Sequence, residues 1–282
     1  NDVGLRGVVG LDSRLAAHQD GLLLSGPDGV EVATAHLESR DPWQRYAGAR
    51  IWIEHGHPDV DRVFGRMENS EPSGLASWRE ALRHVPARAL ERLKEAVFEE
   101  GCAGPVAVIA DACGWHDILP PGARERLAGA DAAEVRRAVA RTIRPSDTRS
   151  PAATANLNAR LLEDPDPMVA RAALWSLALM DASAAAQRCR DRIDAGLADS
   201  FDVQSLGFLG AANDFDRIAP LVADEATRTA AIRSLGFLGN VAAVDLLLRL
   251  LTSGDVDVAM AAGEAVEMIA GPVPDPPRAR PP

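Results

Sequence analysis

Ser205-Leu206-Gly207-Phe208-Leu209-Gly210 recurs letter for letter as Ser234-Leu235-Gly236-Phe237-Leu238-Gly239, 29 residues downstream. A step of 29 backwards reaches Ser176-Leu177-Ala178-Leu179-Met180-Asp181, and a step of 31 forwards reaches Ala265-Val266-Glu267-Met268-Ile269-Ala270. Leu177, Leu206, Leu235 and Val266 fall in one apolar column, and Met180, Leu209, Leu238 and Ile269 in another. Copies held in one register are the mark of a repeat architecture. Each copy divides into two helical segments. The first carries small and apolar residues at helical spacing, as in Ala230, Ala231, Ile232, Leu235 and Leu238, and stops at Gly210 or Gly239-Asn240. Those stops suit a left-handed helix cap. The second runs through Val241, Val244, Leu247, Leu248 and Leu251 until Gly254-Asp255 breaks it. That is an i, i+3, i+7 face, again helical. One such pair cannot bury its apolar side alone, so the pairs must stack, and the fold expected is an all-α solenoid of helical hairpins.

The pattern extends outward. Asp166-Pro167-Met168-Val169 precedes the Ser176 copy and Asp255-Val256-Asp257-Val258 precedes the Ala265 copy. Asp supplies an N-cap acceptor, and Pro is tolerated in a first turn. Ala133-Glu134-Val135 and Asp41-Pro42-Trp43 open similar stretches further upstream, with degenerate helices at Ala87–Glu100 and Val106–Ala112 between them. A soft boundary at Arg144-Pro145-Ser146-Asp147 divides degenerate repeats over 1–146 from regular repeats over 147–271. The segment 272–282 holds too much proline for a helix and reads as a disordered tail.

Composition narrows the function. Aromatics are only 4% of the 282 residues, which disfavours a β-sandwich or barrel. Thirty basic residues against forty-one acidic ones leave a net charge of −11. Nucleic-acid binding usually needs a basic surface, and none is advertised, so no nucleic-acid partner is expected. Lys94 is the only lysine and no apolar run approaches a bilayer span, so membrane insertion is not expected either. Cys102, Cys113 and Cys189 form an odd, sparse set that reads as reduced thiols in a cytoplasmic protein. The first residue, Asn1, is no initiator Met, which leaves room for a longer N-terminal region or a signal before it.

The turn-and-helix pattern, with about 30 residues per unit, resembles short HEAT-like repeats of the bilin-lyase-related type. Leu11-Asp12-Ser13-Arg14-Leu15-Ala16-Ala17-His18-Gln19-Asp20-Gly21-Leu22 is similar to an early LDERLEAHLDGL stretch of an uncharacterised bacterial HEAT-repeat family often encoded beside type VI secretion genes. Ala230–Gly236 and Ala262-Gly263-Glu264-Ala265-Val266 are similar to a late stretch of the same family. Gln19 and the doubled Leu23-Leu24 depart from the early motif. The resemblance implies a cytoplasmic accessory or scaffold in secretion, with a protein partner and no chemistry. Two other readings share the architecture: a HEAT-like DNA glycosylase, against which the net charge weighs, and a bilin-lyase-like tetrapyrrole chaperone.

Individual motifs favour structural roles. His55-Gly56-His57-Pro58-Asp59 resembles a metal motif of hydrolases, but it falls between helices and has Val60 where that motif needs a further ligand. Cys113 and His116 stand three apart, as a thiol and its activating base would, yet no third group is placed to orient the imidazole. Neither a catalytic residue, nor a metal ligand, nor a cofactor is therefore assigned. The five tryptophans read mostly as core. The sharpest candidate is a polar row on the second helices: Gln187, Asp216 and Asp245 repeat at 29-residue steps, with Arg188, Arg217 and Arg249 beside them. This row is the expected partner-binding groove, on the face that stacked pairs commonly offer to ligands.

Overall fold

A computed structural model describes residues 17–271 apart from 19, 23, 55–64, 92, 95–101, 121 and 145–150. All of the soft boundary but Arg144, the string His55–Asp61, the tail 272–282 and most of the early motif lie outside the described residues. Among the described residues there is no strand, and no helix is long and apolar enough to cross a membrane. The chain divides into two compact units, Asn1–Ser176 and Leu177–Pro282.

The first unit contains α1 (Pro27–Leu37), α2 (Pro42–Glu54), α3 (Pro72–His84), α4 (Ala87–Leu90), α5 (Ala103–Trp115), α6 (Ala123–Leu127), α7 (Ala133–Thr142), α8 (Pro151–Leu162) and most of α9 (Pro167–Met180). Its long helices pack in sequence, α1 on α2, α2 on α3, α3 on α5 and α5 on α7, while the short α4 lies on α2 and the short α6 on α7. The second unit continues with α10 (Ala182–Asp194), α11 (Ser200–Leu209), α12 (Phe215–Ile218), α13 (Arg228–Leu238), α14 (Val244–Leu250) and α15 (Val256–Ala270). Here the first helices of successive copies, α11, α13 and α15, pack closely, and α10 touches α12 only lightly. Both units have the expected all-α construction of stacked helical hairpins.

The close packing has a steric origin. A Cβ on Gly207 would lie 2.7 Å from Ser234 Cα, and one on Gly236 would lie 2.7 Å from Ala265 Cα. Backbones thus meet with no side chain between them, and a serine helps lock the seam. Ser234 Oγ donates to the carbonyls of Val203 (2.9 Å) and Ala230 (2.7 Å), and Ser176 Oγ donates to that of Ala140 (2.6 Å). Beside this seam Val203, Leu206, Ile232, Leu235 and Leu247 are fully buried. Each removes apolar area worth about 1.5–3 kcal/mol from water.

The caps follow the sequence at most ends. Asp166 Oδ1 accepts from Met168 N (2.8 Å) and Val169 N (3.2 Å), and Asp255 Oδ1 accepts from Asp257 N (2.9 Å). Gly239 is left-handed, with φ 64°. Gly210 is not: at φ −78° and ψ −173° it is extended. It is small for another reason, because a Cβ there would meet the Leu206 carbonyl and stand 2.7 Å from Asp214 Oδ2. The second segments also differ from a continuous helix. Ala212–Asp214, Ala219–Ala223 and Val241–Ala243 are 3-10 turns that flank the short α12 and open α14. Of the stretch Ala87–Glu100, only Ala87–Leu90 is helical among the described residues, whereas Val106–Ala112 lies inside the longer α5.

Two glycines in the second unit separate space from propensity. Gly236→Ala has to push Ala265 away and should destabilise the protein by about 1–3 kcal/mol, although alanine is the better helix former. Gly263 faces only Leu251 Cδ2 at 3.7 Å, so Gly263→Ala should be neutral or stabilise by up to about 1 kcal/mol. Urea unfolding followed by circular dichroism reads both, and equal effects at the two positions would contradict the steric account.

Candidate functional site

Three residues after the serine of each repeat, or after Ala265 in the last, an apolar side chain stands open to water. These are Leu179 on α9, Phe208 on α11 and Phe237 on α13, with Met268 at the matching place on α15. They are 59%, 63%, 39% and 44% exposed. Phe208 and Phe237 stack on each other, with ring centroids 3.9 Å apart at 30°. The same apolar position thus recurs open to water on successive copies, with the Phe208–Phe237 stack joining two of them across the tightest layer. Isolated exposed hydrophobic side chains are ordinary, but a contiguous set marks an interaction surface.

The polar row read from the sequence lies on the second helices of the same unit. Gln187, Asp216, Asp245 and Arg249 are exposed. Gln187 is bound within its own helix, donating to Asp191 Oδ1 at 2.8 Å and accepting from Arg190 Nη1 at 3.3 Å. Arg188 is half-buried, and Arg217 donates through Nε to Asp194 Oδ1 at 3.0 Å. Part of the row is thus tied into local ion pairs. The strongest of these pairs nearby is Arg190 with Asp214: Nε and Nη2 reach the two carboxylate oxygens at 2.7 and 2.9 Å, and Ala211 N donates to Oδ2 at 2.9 Å. Asp214 is fully buried. Its bond to Arg190 holds its carboxyl below the usual carboxylate range, against the opposing effect of burial.

The remaining candidates settle into structural positions. Cys113 and Cys189 are fully buried, and burial pushes both thiols up to about 12. A protonated thiol is no nucleophile at neutral pH. His116 Nε2 is buried without a hydrogen-bond partner among the described residues, so this nitrogen accepts no proton from Cys113 there. Of the tryptophans, Trp52 and Trp78 are core, whereas Trp43, Trp115 and Trp175 are exposed, more than the sequence leads one to expect. In the first unit an open, mostly polar recess is lined by Glu38, Arg40, Arg45, Arg66, Glu71 and Trp78 among others. Arg66 closes one side of it, bonded to Glu38 at 3.1 Å and lying over the Trp52 ring at 5.1 Å. Among the described residues no group of His, Cys, Asp and Glu is placed to hold a metal ion.

No family model matches the chain, and no curated protein matches it. Among solved structures it is similar to YibA of Escherichia coli, at 17% identity and a TM-score of 0.51, over 91% of this chain and 97% of that one. An engineered protein matches over 90% of this chain and 91% of its own at 16% identity, with a TM-score of 0.33. The first likeness speaks for the all-α repeat fold, and the second is too loose to carry an argument.

The Asp214–Arg190 pair fixes an acid dependence. A carboxyl with a depressed folded pKa adds stability that is present above its unfolded value of about 4 and is lost as pH falls through the folded value. Asp214→Asn should cost about 3 kcal/mol at pH 7, since it leaves a guanidinium without its counter-charge. The gap from wild type should narrow as pH drops below about 4. Urea unfolding at pH 7, 5, 4 and 3 measures that gap, and a gap independent of pH would refute it.

Proposed function

We propose that this chain is a non-enzymatic interaction scaffold that receives an amphipathic helix of a protein partner along Leu179, Phe208, Phe237 and Met268. One observation carries the reading: large apolar side chains stand in water at the same place on four successive repeats. A chain selected only to fold gains nothing from a stacked phenylalanine pair facing solvent. An amphipathic helix is the occupant such a surface suits, because it lays one apolar face along a row of anchors; Phe208 and Phe237, with ring centroids 3.9 Å apart, act there as a single anchor. Affinity in such a groove comes from burying the anchors, with no bond broken. The setting that the sequence resemblance implies is a cytoplasmic accessory to type VI secretion.

The test begins with affinity capture from native cells and identification of the bound protein, then measures the purified pair. Phe208→Ser with Phe237→Ser should weaken binding at least tenfold while the circular dichroism melt stays close to wild type. Asp216→Lys with Asp245→Lys should leave affinity within about twofold. Unchanged binding in the phenylalanine variant, or loss confined to the aspartate variant, would overturn the apolar column as the docking face.

A further inference from the structure

The net charge of −11 conceals a local excess of positive charge in the first unit. Three neighbouring helices each place a pair of residues one turn apart on a common cluster: Arg79 and Arg83 on α3, Asp111 and Trp115 on α5, Arg137 and Arg141 on α7. Asp111 is buried and accepts from Arg83 through Nε at 2.8 Å and Nη2 at 2.6 Å. Arg83 also meets Glu80 at 3.0 Å. Arg144, just past α7, donates from Nη1 to the Trp115 carbonyl at 3.1 Å, and its guanidinium lies 4.7 Å from the centre of the Trp115 ring. Arg83 lies 5.4 Å from the same ring. Arg79 has Asp111, Arg137, Arg83 and Glu80 as its charged neighbours, and Arg141 has Asp111, Arg79, Arg137 and Arg83. Among the described residues, the four guanidiniums of Arg79, Arg83, Arg137 and Arg141 thus gather around two carboxylates, Asp111 and Glu80.

Arg79 and Arg137 are half-buried and Arg141 is open to water, yet Arg79 and Arg141 are crowded enough by protein that loss of water, followed by their like-charged neighbours, lowers both pKa values from the ordinary arginine value. Like charges held together at the cost of hydration are expensive unless something anionic joins them. Asp111 meets that need only in part, by fixing Arg83.

We propose that the cluster of Arg79, Arg83, Arg137 and Arg141 is a binding site for a compact phosphoryl or pyrophosphoryl group. The forked guanidinium matches phosphate oxygens two at a time, and a phosphate brings two negative charges into a space where a carboxylate brings one. Asp111 is the acidic neighbour that Arg79, Arg83 and Arg141 share, so the cluster is compact and does not run as a track. Trp115 already carries Arg83 and Arg144 against its ring, so it positions those guanidiniums. A nucleic-acid strand asks for the reverse, a cationic groove with open aromatic platforms. The site shares no residue with the apolar column of the second unit and does not depend on the scaffold reading.

The experiment titrates the full chain by calorimetry with inorganic pyrophosphate, with a phosphoserine peptide and its unphosphorylated twin, and with duplex DNA. Pyrophosphate should bind once per chain. Arg137→Ala with Arg141→Ala should weaken it at least tenfold, Arg137→Lys with Arg141→Lys should fail to restore full affinity, and Arg249→Ala in the second unit should change nothing. Tighter binding of the phosphopeptide than of pyrophosphate, with none by its twin, assigns the phosphate to a protein. The opposite order assigns it to a small molecule. Both support the site. No heat with pyrophosphate or phosphopeptide, binding indifferent to the arginine pair, or duplex DNA bound at least tenfold more tightly with a steep salt dependence would overturn it. Melting of the alanine variant within a few degrees of wild type shows that a loss comes from the site.

Discussion

The closeness of the first helices constrains everything else in the second unit. Where Gly207 faces Ser234 and Gly236 faces Ala265, no room remains for even one extra carbon. Backbones at that distance fix the tilt and register of each helix on the next, because interiors this dense do not slide. Ser234 then bonds across the gap to Val203, and the leucines alongside find their places. The outward residues inherit this precision: Phe208 and Phe237 stack because the backbones beneath them are pinned.

Polar bonds between distant stretches of chain support the same order. Arg136 holds Asp164 through Nε at 2.7 Å and Nη2 at 2.9 Å, and Asn240 Nδ2 donates to the Ala212 carbonyl at 2.8 Å. Each spans 28 residues of sequence, close to the length of a repeat. Asp164 has its pKa lowered by the bond to Arg136, as Asp214 does by Arg190. Being partly sheltered, such pairs are worth more than surface ion pairs and do more to set alignment than to add bulk stability.

The repeat was legible because it is periodic, and the caps at Asp166, Asp255 and Gly239 were legible because their chemistry is local. Gly210 misled because a glycine after a helix invites a left-handed cap, while the actual demand came from Asp214, four residues away in sequence and in contact in space. Phe208 and Phe237 lie within the very string that reveals the fold, yet periodicity alone cannot tell an outward apolar position from a packed one. The arginine cluster was hidden differently. Its members are spread over residues 79–144, and the overall acidity averages them away; only the packing of α3, α5 and α7 collects them. A search for arginine pairs four apart on successive helices would have found Arg79/Arg83 and Arg137/Arg141.

A seam made from one small-residue contact per neighbour also has an evolutionary side. Because α13 meets α15 through the same atoms by which α11 meets α13, a tandem duplication of one 29-residue block would present a ready-made mate at both of its cut ends. Such a protein can gain or lose reach in whole modules, lengthening its row of outward aromatic rungs without redesigning any junction.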